Sequence, residues 1–360
     1  MKPRHTRIAA AILAASLSWT PVAHALTQAE IASLTGPDRE KLLIEGAKKE
    51  GKVVLYSALI AQIVLRPLAD AFQKKYPFIK MEYWRAESEK IVPKVMAERS
   101  ANALLADVLE GSGIAVALIE AKAAQPFHSP GIEAALPQYR DPNHLWAATR
   151  ISFMGSAYST KQLKPDQVPK TFEDLLAPHL KGKMAWRAGA ESGGAQLFIT
   201  NLRTAWGEEK ADAYFQKLRE QKIVNFTASA RALVDQVISG EYAVALDIYM
   251  QHARISADQG ASVASQPMPI VPSTNGTVMY PIGAPHPYAG MLLIDYMLSP
   301  EGAKVLVDVY EIPPDPNVPP KPQLLAHVPR LIGAQENFLP PETLARNIGK
   351  TNAIWEKYFR

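Results

Sequence analysis

Along most of the chain, short uncharged runs of β-branched and aromatic residues alternate with longer stretches of helical periodicity. Residues 37–51 predict a helix closed by Gly51, and Lys52-Val53-Val54-Leu55-Tyr56-Ser57 follows as a strand. Its lack of polar alternation fits a strand buried on both faces of a parallel sheet. Val64, Leu65, Leu68 and Phe72 mark a helix over 63–75, Ile79 to Trp84 a second strand, and Ile91, Val95 and Met96 a helix over 88–100. Ala106-Asp107-Val108-Leu109 is a third strand, ending at Glu110-Gly111-Ser112-Gly113. The alternation restarts with strands at 183–186, 223–226 and 242–246 and helices at 193–206 and 229–239. Trp146 to Ser159 reads as one long strand between the two units, and the Pro-interrupted segment 262–282 as a second connection. A terminal helix covers roughly 341–359, after an extended Pro-rich loop from Ile312 to Pro322. The fold class expected is α/β, with two doubly wound lobes joined by two extended hinge segments. Ligands bind such sheets outside the carboxyl ends of the strands. Both lobes therefore present their strand ends to a shared cleft.

The amino terminus has a different pattern. Lys2, Arg4 and Arg7 precede an uncharged run from Ile8 to Trp19, and Ala23-His24-Ala25 offers small residues at a cleavage site. Charge, a short apolar core and A-x-A predict a cleaved secretory signal over 1–25. The run is shorter than the ~20 residues a membrane span takes. No later segment has the length and apolarity of a span, and no cysteine follows the leader to carry a lipid. The expected location is the periplasm. Removing the three leader bases from a formal charge of +4 leaves about +1, so the basic pI is no argument for a nucleic-acid partner. With no cysteine, disulfides, thiolate metal sites and cysteine nucleophiles are excluded. The remaining length suggests two domains. The divisions expected are lobe 1 over 26–150, lobe 2 over 151–277, and 278–360 as a return to lobe 1 plus C-terminal helices. A monomer without a cofactor is expected.

A series of motifs carries a family resemblance. Leu55-Tyr56-Ser57-Ala58-Leu59, Arg66-Pro67-Leu68 and Ala71-Phe72-x-x-Lys75-Tyr76-Pro77 open it. Glu82-Tyr83-Trp84-Arg85-Ala86-x-Ser88 and Ala106 to Leu109 continue it, and Ala284-Pro285-His286-Pro287 and Leu298-Ser299-Pro300-Glu301-Gly302 are its most specific part. In this order the chain resembles the periplasmic solute-binding proteins of ABC transporters (extracellular solute-binding family 1), in the type II fold group that includes ferric-binding proteins. The resemblance covers almost all of the chain after the leader. It implies capture of a small solute and its delivery to an inner-membrane permease, with no chemistry done on it.

Candidate contacts lie at strand ends. Ser57 can hold an oxyanion, or cap a helix. Gly111 and Ser112 let backbone approach a ligand at a helix start, or make a tight turn. Arg85 can grip a carboxylate or phosphate in a bidentate fashion, with Trp84 as a wall; the bland reading is a solvated Arg and a core Trp. Arg187, with Ser192 and Gly193 opening the next helix, is the preferred anion clamp. Ser229 reads as a helix cap. Asp247 and Tyr249 follow the strand ending at Leu246, and Asp247 can hold an amine or pair with Arg187 or Arg254. His286, between two prolines, reads as structural, and His128, His144, His179 and His327 as surface residues.

The metal question turns on one segment. The resemblance to ferric-binding relatives implies two adjacent tyrosines, but this chain reads Asp247-Ile248-Tyr249-Met250-Gln251-His252. Tyr249 and His252, with a carboxylate such as Glu82 or Glu110, make the ferric alternative. No H-E-x-x-H, P-loop or G-x-S-x-G is present, so an exported enzyme is a weaker alternative, and a docking protein another. Charge-assisted hydrogen bonds contribute about 1.5–3 kcal/mol each, while micromolar affinity needs about 8 kcal/mol. Three such bonds leave little after closure costs. An organic anion with some apolar body is therefore expected over inorganic phosphate.

Overall fold

The structure, a computed structural model, describes residues 26–189 and 194–360. The leader, Ser192 and Gly193 lie outside the described residues.

Among the described residues, eleven strands form one mixed sheet. In chain order they are β1 (Lys52–Ser57), β2 (Lys80–Arg85), β3 (Val108–Gly111), β4 (Ala124–Gln125), β5 (Ala147–Ser159), β6 (Met184–Arg187), β7 (Val224–Phe226), β8 (Val244–Tyr249), β9 (Val263–Gln266), β10 (Ile270–Pro281) and β11 (Gln335–Phe338). The main order is β2-β1-β3-β10-β5-β8-β6-β7. Three parallel strands at one end, β2, β1 and β3, make the first lobe. Three at the other, β8, β6 and β7, make the second. Between them β5 and β10 run antiparallel to each other and join the two halves. These are the two extended connections expected from the sequence.

The apolar runs are uninterrupted because each strand is covered on both sides. Val53 and Leu55 enter one core with Phe72, Leu292 and Tyr296. Val54 and Tyr56, pointing the other way, enter another with Ile91, Val95 and Leu109. The second lobe repeats the pattern. Met184, Trp186 and Leu246 face a core with Phe198 and Phe215, while Ala185, Ala245 and Ile248 face Leu233 and Val237. After β10 the chain packs the helices Pro287–Leu298 and Pro300–Asp308 on the first lobe. The terminal helix Pro341–Tyr358 instead lies on the second, where Phe359 meets Trp186 edge-on at 4.8 Å and Thr351 bonds Thr200 at 2.8 Å. No helix among the described residues is long and apolar enough to cross a membrane.

Two differences from the sequence reading bear on the cleft. The strand expected to stop at Leu246 runs on to Tyr249, with a register irregularity against β5 between Gly155 and Ala157. Asp247 takes a φ of 51° inside it, a conformation that non-glycine residues adopt at a cost. The Pro-rich stretch is anchored rather than free: Ile312 is buried and bridges to Ile151 of β5.

At the junction of the lobes Gly276 of β10 faces Arg150 of β5. A Cβ there would overlap the Arg150 guanidinium and sit 2.8 Å from Glu110 Oε1. Both groups are buried and ion-paired, so neither has room to swing away. Gly276→Ala is expected to destabilise the fold by about 1–3 kcal/mol, as measured by urea unfolding; an unchanged midpoint would mean that the pair shifts freely.

Candidate functional site

The carboxyl ends of the parallel strands of both lobes open on one cavity of about 120 Å³. Ala58, Leu59 and Ile60 follow β1, Arg85 ends β2 and Ser112 follows β3. From the second lobe come Arg187 at the end of β6, Ser229 to Arg231 beyond β7, and Tyr249, Gln251 and His252 at the end of β8. Arg150 and Ser152 of β5, and Glu311 from the segment after the helix Pro300–Asp308, complete the lining.

Of the residues singled out from sequence, Arg85, Ser112, Arg187 and Tyr249 meet on this wall, together with His252. Ser57, Trp84, Gly111 and Asp247 are not part of it. Ser57 is fully buried; its hydroxyl donates to Glu110 and accepts from the Leu59 N–H at 3.0 Å. Trp84 packs on Tyr56 at 5.1 Å with the Lys94 ammonium 5.0 Å from its ring. Successive strand residues point to opposite faces, so Trp84 and Arg85 do not share the cleft. Gly111 pairs with Thr277 inside the sheet. Asp247 is 5% exposed, and burial raises its carboxyl well above the ordinary range. It pairs with neither arginine expected for it: Arg187 bonds Glu89 and Arg254 bonds Asp258. Ser229 caps its helix, accepting from Ala232 N–H at 3.1 Å, and also borders the cavity. His286 bonds Asp107 at 2.9 Å, a structural role. His327 is buried, not on the surface, and lies 2.6 Å from Ser265 Oγ.

Four guanidinium groups line the cavity, and each has a protein partner. At the rim Arg85 bonds Glu87 at 2.7 Å, both about one-third exposed. Arg231 bonds Asp235 at 2.9 Å and the carbonyl of His252 at 3.0 Å. Arg187 reaches across from the second lobe to Glu89 of the first, at 3.2 Å, while its buried Nε has no acceptor among the described residues. On the inner wall Arg150 is ion-paired to Glu110 and lies 3.5 Å from Glu311. Burial raises the Glu311 carboxyl and Arg150 draws it back. The first N–H groups of the helix Ala230–Ser239 have no intrahelical acceptors and add positive potential at the same wall.

Sequence reasoning missed Arg150, Arg231, Gln251 and Glu311 as cavity residues. Arg150 carried a usable signal: a single charge in the middle of an otherwise uncharged strand. Buried charges in such places are paired.

Tyr249 and His252 lie with ring centroids 5.2 Å apart. His252 Nδ1 is buried without a partner among the described residues. Burial, then Arg231 and Arg150, lower its imidazole to about 4. An unfolded histidine titrates near 6.5. As pH falls, the unfolded chain therefore takes up this proton first. The contribution is intact above pH ~6.5 and is lost between there and pH ~4, by at most about 3 kcal/mol. His327, which burial also lowers to about 4, acts in the same direction, while the raised carboxyls of Asp247 and Glu311 stabilise the fold as pH falls, so the test is a difference: from pH ~6.5 to ~4, His252→Gln should lose less stability than the wild type in urea unfolding. An identical slope in the variant would contradict a neutral His252.

A mixed sheet split into two parallel-stranded lobes by a pair of crossing strands, with an interlobe cleft at the strand ends, defines a type II periplasmic binding protein. The family model for bacterial extracellular solute-binding proteins matches residues 108–335. The chain belongs to this family. Among curated relatives, the Fe(3+)-binding periplasmic protein of Serratia marcescens is 24% identical over 184 residues, covering 51% of this chain and 52% of the relative. Among solved structures, the periplasmic binding protein P5PA superposes with a TM-score of 0.72 at 20% identity, covering 86% of this chain and 100% of that one. AfuA of Actinobacillus pleuropneumoniae, with fructose-6-phosphate bound, gives 0.68 at 22%, covering 86% and 99%. At these identities the structural likeness speaks to fold.

Proposed function

We propose that the protein is the periplasmic solute-capturing component of an ABC importer, and that its cargo is a small organic anion. The observation that carries the anion reading is Arg187. It projects into a cleft lined by three further arginines, and among the described residues its buried Nε has no acceptor and its Nη2 is held by the half-exposed Glu89 alone. An anion entering there replaces a weak rim pair with charge-assisted bonds in a drier site. The N-terminus of the helix Ala230–Ser239 adds to it. Apolar contact comes from Leu59, Ile60 and the Tyr249 ring, not from Trp84. AfuA, whose structure holds a sugar phosphate, lends support to this class of cargo. Binding closes the lobes and presents the loaded form to a permease, with no reaction on the solute.

Ferric iron is the second reading, favoured by the neighbouring Tyr249 and His252 and by the Serratia relative. The surroundings oppose it. No group of three or more His, Asp or Glu placed to hold a metal occurs among the described residues, and Arg150 and Arg231 both act on His252.

A thermal-shift screen of organic phosphates, carboxylates, amines and ferric salts tests the proposal. A ligand at a hundredfold excess over its Kd stabilises the fold by about 2.7 kcal/mol, a rise of a few degrees. Phosphates or carboxylates are expected to produce it. A rise with ferric salts alone would overturn the anion reading.

A further inference from the structure

The arginines occupy only part of the cavity wall. At the inner wall two carboxylates, Glu110 of β3 behind it and Glu311 on it, share the Arg150 guanidinium. Glu110 is fully buried and satisfied: Arg150 donates to its Oε1 and the Ser57 hydroxyl to its Oε2. Glu311 is placed differently. It is 9% exposed and lines the cavity, Gln251 hydrogen-bonds to it, and Arg150 Nε stands 3.5 Å from its Oε2. That Oε2 is buried with no hydrogen-bond donor on it among the described residues. A buried carboxylate oxygen left without a donor is costly, and more so where negative charge is in excess. The cleft is therefore polarised. Arg187 and the start of the helix Ala230–Ser239 favour an anion, while the Glu311 wall repels a second one and favours a group that donates a hydrogen bond.

We propose that Glu311 is a specificity-determining residue, selecting anionic solutes that carry a hydroxyl or ammonium donor away from the anionic group. The inference rests on the anion reading above and deepens it. It explains why a cleft with four arginines keeps an unsatisfied carboxylate oxygen on its wall: the solute completes it. A site that demands a donor discriminates strongly against an analogue lacking one, because the protein acceptor is then left buried and unpaired.

The test uses three phosphate monoesters with the same chain: an alkyl phosphate, the ω-hydroxyalkyl phosphate and the ω-aminoalkyl phosphate, each with two- and four-carbon spacers. Binding is measured by calorimetry at pH 8 to the wild-type protein and to Glu311→Gln. We expect the hydroxyl or ammonium ester to bind the wild type at least tenfold more tightly than the alkyl ester at one spacer length, and Glu311→Gln to cut that advantage at least threefold. A stronger gain for the ammonium ester would assign a zwitterionic solute; a stronger gain for the hydroxyl ester, a polyol phosphate or hydroxy acid. Equal binding of all three esters to the wild type would overturn the role of Glu311 and leave the anion reading standing. A preference that survives intact in Glu311→Gln would also overturn it. Should neither these esters nor any carboxylate bind, the anion reading itself fails. The wild-type series decides the matter even if Glu311→Gln does not fold.

Discussion

Arg150→Met is expected to lower the unfolding free energy by about 3–5 kcal/mol, the largest loss from any single change in the cleft. Arg150 is 8% exposed and Glu110 is completely buried. Removing the guanidinium leaves Glu110 and Glu311 as neighbouring buried carboxylates with nothing to neutralise them. Breaking such a group costs far more than the intact group contributes, because the remaining charges keep their desolvation penalty. The three partners come from β3, β5 and the segment after the helix Pro300–Asp308, so the damage falls on the junction between the lobes. Urea unfolding of the ligand-free protein measures it. Adding Glu110→Gln should recover part of the loss, since one charge then disappears. A loss below about 1 kcal/mol, typical of an exposed pair, would mean that the carboxylates are hydrated or protonated in the folded protein.

The second large effect is on binding. Arg187→Ala should weaken anion binding by about 10- to 100-fold, because a lost charge-assisted bond costs about 1.5–3 kcal/mol and each 1.4 kcal/mol is about tenfold. Stability should change little, since its partner Glu89 is half exposed. Glu89→Gln should act the other way. It releases Arg187 from a rim pair contributing about 0.2–1 kcal/mol, so affinity should rise by up to about fivefold. Calorimetry on the two variants with one organic phosphate separates these outcomes. Equal affinity in Arg187→Ala and wild type would remove Arg187 from the site.

The contrast between these residues explains how far the sequence could be read. Val53 to Tyr56 reads as a strand covered on both sides because four successive apolar residues leave no face for water, and the two cores on either side of β1 are the reason. Arg85, Ser112 and Arg187 were legible because they sit at or just beyond strand ends, and in this class of sheet the strand ends make the cleft. The period-two rule separates Trp84 from Arg85, and it is Arg85 that reaches the cavity. Arg150, Glu110 and Glu311 form a unit only after β5 and β10 cross between the lobes. Nothing local in the sequence links positions so far apart. Asp247 lies off the cavity because its strand runs three residues further than the apolar run, carrying it into the interior.

In the proposed mode of capture the interlobe cleft holds an organic anion through Arg187. Calorimetric titration of the purified protein with fructose-6-phosphate and simple carboxylates, in the presence of a metal chelator, tests it most directly. Saturable one-to-one binding by at least one of these anions, weakened at least tenfold by Arg187→Ala, is the predicted result. Absence of heat with every anion, together with a coloured one-to-one complex on adding ferric salt without chelator, would contradict it.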